Sequence, residues 1–171
     1  MKNVLNYITE ALRIKSGMKN ITTHTYSFTP KSFDELVNYI NEKINSLDKN
    51  ATLLDIKNID CKNLKSLENL SMKAFKNIIR YRNLKKLDVS GWNVSTIENL
   101  SYTFNDIRLV DEIIGLNTWD VSNVNNINGL FQSCIELIEL DLTGWDLPNL
   151  GNNAQKTCSQ IFMNCYRLKT R

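Results

Sequence analysis

LDVSGWNVSTIENLSYTF, residues 87–104, returns in altered form at residues 114–131 as IGLNTWDVSNVNNINGLF, and its first half returns again from Leu140. Trp92, Trp119 and Trp145 mark the three copies, 27 and 26 residues apart. Apolar residues stand five and three positions before each tryptophan: Leu87 and Val89, Ile114 and Leu116, Leu140 and Leu142. Others follow two and five positions after it: Val94 and Ile97, Val121 and Val124, Leu147 and Leu150. Phe104 and Phe131 close the first two copies. Phe162 is the natural third, displaced by an insertion in the polar stretch 151–156. A degenerate earlier copy is read in Leu64, Leu67, Leu70 and Phe75, with Asn63 in the tryptophan position.

A period in this range marks a repeat architecture, because one such unit cannot bury its apolar face alone. The expected fold is therefore an α/β (or α+β) repeat, a short leucine-rich-repeat solenoid of about four coils. Leu87, Ile114 and Leu140 should then share one column of side chains. Cys134 and Cys165 fall where Ile78 and Ile107 stand in the first two copies, and Cys158 falls in the slot of Leu100 and Ile127. A thiol in such a slot reads as a small hydrophobe rather than a ligand or nucleophile. The 24 asparagines suit a chain dense in turns.

Residues 1–50 read as an N-terminal helical attachment or capping segment, and 51–171 as the repeat array. Val4, Leu5, Ile8, Ala11 and Leu12 have helical spacing, with Gly17 as a stop. His24, Tyr26 and Phe28 alternate as in a strand. Ser32 and Glu35 form a capping box for a second helix reaching about Leu47, with Phe33, Leu36, Val37, Ile40 and Ile44 inward. The first residues lack the uninterrupted apolar run of a signal peptide, and no 18-residue apolar span follows.

The sequence offers little chemistry. It contains no phosphate-binding glycine loop, no nucleophile elbow and no zinc-protease motif. His24 is the one histidine, so no metal, cofactor or catalytic residue is expected. Asp88, Asp120, Asp141 and Asp146 recur beside the tryptophans and read as turn caps in preference to calcium ligands. Charge carries more information. Residues 51–86 hold nine Lys and Arg against three Asp and Glu, whereas residues 87–171 hold five against ten. The candidate partner-binding residues are Lys62, Lys65, Lys73, Lys76, Arg80, Arg82, Lys85 and Lys86 in a basic belt, with Trp92, Trp119 and Trp145 as a possible aromatic strip. A basic belt beside an acidic half suits docking on an acidic protein surface or on copies of the chain itself, the latter also through an exposed terminal coil. No membrane partner is expected, and nucleic acid is disfavoured by the acidic half.

The stretches 87–104 and 117–134 resemble the repeats of the BspA-like leucine-rich-repeat surface-protein family, over about residues 53–168. Trp, Val-Ser-x-Val and Phe fall in register, and the Phe-x-x-Cys ending survives at Phe131/Cys134 and Phe162/Cys165. Leu100 and Ile127 stand where the family usually has Met. The segments YITEALRIKSG and TYSFTPKSFDELVNYINEKI resemble the start of short members carried by tailed bacteriophages of gut bacteria. That resemblance implies no catalytic residues. It implies a non-enzymatic accessory or decoration component of a virion, bound to virion structural proteins. The alternative is a bacterial surface adhesion or carbohydrate-binding module, or a protein of the infected host's cytoplasm.

Overall fold

The computed structural model describes residues 25–151 and 157–169. The helix expected over residues 3–14, His24 and most of the polar insertion lie outside the described residues.

Helix α1 (Phe33–Asn45) begins where its capping residues dictate. Ser32 is extended, and its hydroxyl accepts the Glu35 N–H at 3.2 Å. The Glu35 carboxylate in turn accepts the Lys31 N–H at 2.8 Å. The first bond satisfies an orphan donor of the helix start, and the second ties the residue before the cap to the first turn. Leu36, Ile40 and Ile44 are fully buried against strand β1 (Leu53–Asp55), helix α2 (Leu70–Ala74) and the 3₁₀ segment Phe75–Arg80 that continues α2. The helix ends two residues short of Leu47. Of the expected strand near residues 22–28, the described part makes one parallel bridge, Phe28 to Ile59. The Phe28 ring stacks on Tyr39 with centroids 4.2 Å apart.

Beyond α1 the chain makes four successive passes, coils 1 to 4, beginning near residues 52, 84, 111 and 137. Strands β1, β2 (Lys86–Asp88) and β3 (Glu112–Ile114) form a parallel sheet in that order. Glu139 extends it by one bridge to Glu112. The pairing continues round each coil outside the strands. Leu67 N–H donates to Asn99, Leu100 to Asn126 and Ile127 to Thr157, at 2.8–2.9 Å. Because each coil repeats the residue types of the last, this register lays like on like. Phe75, Phe104, Phe131 and Phe162 form one column, with centroids 5.7–6.4 Å apart. Trp92, Trp119 and Trp145 form another, at 5.7 and 6.5 Å.

Two expectations need correction. First, Leu54 and Leu87 align with Ile113, not Ile114. Ile113 is buried, and Ile114 lies opposite Asp88 and is half-buried. Coil 3 holds one extra residue between strand and tryptophan, taken up by Gly115 and the 3₁₀ turn Leu116–Thr118. Gly115 has φ +92°, and a Cβ there would meet the Ser90 backbone, so only glycine fits.

Second, Asn63 does not occupy the tryptophan position. Asp60 pairs with Asn93, so Ile59 matches Trp92. Asn63 matches Thr96, Asn123 and Asn149. Its amide donates to the Pro30 carbonyl at 3.0 Å, as Asn123 donates to Ser95 and Asn149 to Ser122 at 2.7 Å. Leu67 in coil 1 aligns with Leu100 in coil 2, yet Phe75 follows it by eight residues and Phe104 follows Leu100 by four. The four extra residues in this interval of coil 1 are accommodated by α2.

Candidate functional site

Columns of aromatic and aliphatic side chains fill the described interior. The tryptophans belong to the interior. Trp92 and Trp119 are 2% and 3% exposed, so neither offers a face to a glycan or a partner. Each indole N–H donates to a carbonyl of the preceding coil: Trp92 to Ile56 at 2.6 Å, Trp119 to Val89 at 3.1 Å, Trp145 to Leu116 at 2.7 Å. A buried indole needs such an acceptor. Trp145, with coil 4 on the outside, is half-buried.

Cys61 and Cys134 are interior as well, whereas Cys158 and Cys165 in coil 4 are half-buried. Cys134 and Cys165 each donate S–H to the carbonyl of the repeat phenylalanine one coil back, Phe104 at 3.0 Å and Phe131 at 2.9 Å. Cys61 is buried in the slot of Val94. Burial pushes the Cys61 thiol up to about 12, with the neighbouring Asp60 carboxylate adding to it. Burial likewise pushes Cys134 up to about 12. A neutral, inaccessible thiol is a poor nucleophile and a poor ligand.

The aspartates cap turns. Asp88 accepts the Ser90 N–H at 2.9 Å, Asp120 that of Ser122 at 3.1 Å, and Asp141 that of Thr143 at 3.0 Å. Asn93, Asn99 and Asn126 make the same two-residue closure elsewhere in the coils. Among the described residues, no group of three His, Cys, Asp or Glu is placed to hold a metal ion. No helix among them is long and apolar enough to cross a membrane.

The basic belt divides into two sets. Lys62 pairs with Asp60 at 3.3 Å, Lys65 with Glu98 at 3.0 Å, and Lys86 with Glu112 at 2.7 Å. Lys57, just outside the candidate set, pairs with Asp55 at 3.0 Å. The hydrogen bond that Lys57 donates to Asp55 raises the Lys57 pKa, and the one that Lys86 donates to Glu112 raises that of Lys86. These lysines stitch turns and neighbouring coils at the surface, where solvent screens such pairs and they add little to stability. Lys73, Lys76, Arg80, Arg82 and Lys85 are exposed and make no ion pair with any described residue.

Three of these five lie on one ridge. From Leu70 to Arg80 the buried residues are Leu70, Ser71, Ala74, Phe75 and Ile78. The exposed ones are Met72, Lys73, Lys76, Ile79 and Arg80, at helical spacing i, i+1, i+4, i+7, i+8. This outward stripe carries three cations and no acid. Its two apolar members are 61% (Met72) and 62% (Ile79) exposed. The ridge begins in the residues that coil 1 inserts before Phe75 and runs on along the 3₁₀ segment after it. Its charges were visible in the sequence; its apolar members were not singled out, because Leu70 and Phe75 drew the segment into the repeat pattern.

At the other end of the stack, coils 3 and 4 enclose an open cleft of about 570 Å³. Ile113, Ile114, Leu140 and Leu142 supply its apolar lining; Glu112, Glu139, Asp141 and Lys169 supply its charged rim. Beside it, Phe162 is 44% and Tyr166 78% exposed.

A family model described as "Mycoplasma protein of unknown function, DUF285" matches residues 40–170, from the last turn and a half of α1 through coil 4. No curated protein and no solved structure matches the chain.

Proposed function

The chain belongs to the DUF285 family, and on that premise we propose that it is a non-enzymatic structural and interaction protein, built as a short leucine-rich-repeat solenoid of about four coils. The observation that carries this reading is the pair of side-chain columns, Phe75 to Phe162 and Trp92 to Trp145, which fill the interior with packed rings. An interior of that kind leaves binding to the outer faces. Those faces are polarised, with unpaired cations on coil 1 and an acid-rimmed cleft on coils 3 and 4.

Within that reading, the BspA-like repeat pattern and the phage-like N-terminal segment support an accessory component of a tailed-phage virion. The basic face of coil 1 or the N-terminal segment would hold it on a larger shell or tail assembly. Burial of Trp92 and Trp119 weighs against the alternative of a glycan-binding adhesion module, which needs exposed rings. Immunogold labelling of purified phage particles tests the virion assignment. Label on particles is the expected result; antigen confined to the particle-free lysate contradicts it.

A further inference from the structure

We propose that Cys134 and Cys165 are a cross-coil thiol pair, which a small-molecule disulfide oxidises to a bond that fastens coil 4 to coil 3. Register brings the two together. Phe131 N–H donates to the Ile161 carbonyl at 3.0 Å, and Ser133 N–H to the Met163 carbonyl at 2.7 Å. That pairing sets Phe131 against Phe162 and Cys134 against Cys165. The phenylalanine rings agree with it, their centroids 5.7 Å apart and their planes 1° from parallel. Ser133 and Asn164, each just before its cysteine, share a left-handed backbone with φ +61° and +63°. The other two cysteines are out of line: Cys158 aligns with Ile127, and Cys61 with Val94.

Both cysteines converge on one carbonyl. Phe131 C=O accepts the Cys134 backbone N–H at 3.3 Å and the Cys165 S–H at 2.9 Å. The Cys165 sulfur is thus held against the Cys134 backbone. Chains hydrogen-bonded in parallel register lie about 4.7–4.9 Å apart, and disulfides span Cα separations of about 4.4–6.8 Å, so closure asks little of the backbone. It does require the Cys134 side chain to turn about its Cα–Cβ bond, away from the Phe104 carbonyl that its S–H meets at 3.0 Å. Burial raises the Cys134 thiol pKa, and the neighbouring Cys165 thiol raises it further.

The two thiols differ in access. Cys134 is 1% exposed, whereas Cys165 is half-buried in a coil that packs on coil 3 alone among the described residues. Cys165 therefore reacts first with a disulfide such as oxidised glutathione. Its proton goes to water, its sulfur attacks one glutathione sulfur, and a glutathione thiolate leaves. Cys134 then loses its proton and attacks the Cys165 sulfur, releasing the second glutathione. Two protein thiols are oxidised, and one glutathione disulfide is reduced to two thiols. Proximity in the stack offsets the low acidity of the buried thiol. The bond closes a loop across coil 4 and so curtails local opening of that coil. The inference stands apart from the virion assignment.

Incubation of the folded full chain with about 1 mM oxidised glutathione at about pH 8.5 tests it. Remaining thiols are alkylated, and chymotryptic peptides are read by mass spectrometry; cleavage after Phe162 separates Cys165 from Cys158. The expected product is a chain lighter by two hydrogens, with Cys134 linked to Cys165 and with Cys61 and Cys158 free. Its melting temperature should rise by about 5–10 °C and return on reduction with dithiothreitol. Cys165→Ser should lose both effects, and Cys158→Ser should keep both; circular dichroism checks that each variant folds. Four free thiols after incubation overturn the proposal, as does glutathione retained on Cys165 with Cys134 free. Linkage through Cys158 or Cys61, a Cys134–Cys165 link that forms only in urea, or a linked chain that melts no higher than the reduced one overturns it as well.

Discussion

Each indole N–H of Trp92, Trp119 and Trp145 reaches back to a carbonyl of the coil before it, so each ring contributes both packing and a cross-coil hydrogen bond. Replacing Trp119 by Phe keeps a ring in the column but removes the closer of two donors to the Val89 carbonyl, leaving it the Trp92 backbone N–H at 3.4 Å. The expected loss in urea unfolding is about 0.5–1.5 kcal/mol from the lost hydrogen bond, with a further packing term from the smaller ring. The buried thiols set a pH limit. Cys61 and Cys134 titrate near 12 when folded, against about 9 ordinarily, so above pH 9 the unfolded chain loses protons that the folded chain keeps. Their contribution is intact below pH 9 and is lost progressively between about 9 and 12. Each thiol costs about 1.4 kcal/mol per pH unit in that window. Melting temperatures of the natural chain and a Cys61→Val, Cys134→Val variant should therefore diverge as pH rises past 9, the variant falling less. Parallel alkaline loss would contradict the burial.

At the scale of the element, the aromatic columns were legible because the same bulky residue recurs at a near-constant interval. The column through β1, β2 and β3 was legible only to within one residue. Two adjacent isoleucines, Ile113 and Ile114, both satisfy an apolar pattern, and counting back from the tryptophan selects the wrong one. Gly115 and the 3₁₀ turn absorb the difference, and a single glycine does not announce that. Ile113→Ala should cost about 2–5 kcal/mol as a core truncation, and Ile114→Ala clearly less. Equal losses would contradict the register. Gly115→Ala should cost about 1–3 kcal/mol from the left-handed backbone alone, with the Ser90 contact adding to it. Coil 1 was misaligned for a related reason. Ile59 is a small stand-in for Trp92, and helix α2 adds residues between Leu67 and Phe75. The inserted helix carries Met72 and Lys73 and the 3₁₀ segment after it carries Lys76, Ile79 and Arg80, so part of the candidate surface least legible in the repeat pattern lies where coil 1 departs from it.

Across the whole molecule, length is built by repetition and the ends differ. α1 seals the core at coil 1, and coil 4 leaves Phe162 and Tyr166 uncovered beside an acid-rimmed cleft. The charge asymmetry was readable by counting residues; which cations are already paired was not, because Lys65 and Lys86 find their partners 33 and 26 residues away. The account as a whole depends on like residues lying on like in successive coils. A two-dimensional NOE spectrum of the chain with labelled aromatic rings measures this directly. It should show contacts in the order Phe75, Phe104, Phe131, Phe162, and in the order Trp92, Trp119, Trp145. Absence of cross-peaks between Trp92 and Trp119, or a Phe162 ring distant from Phe131, would contradict it.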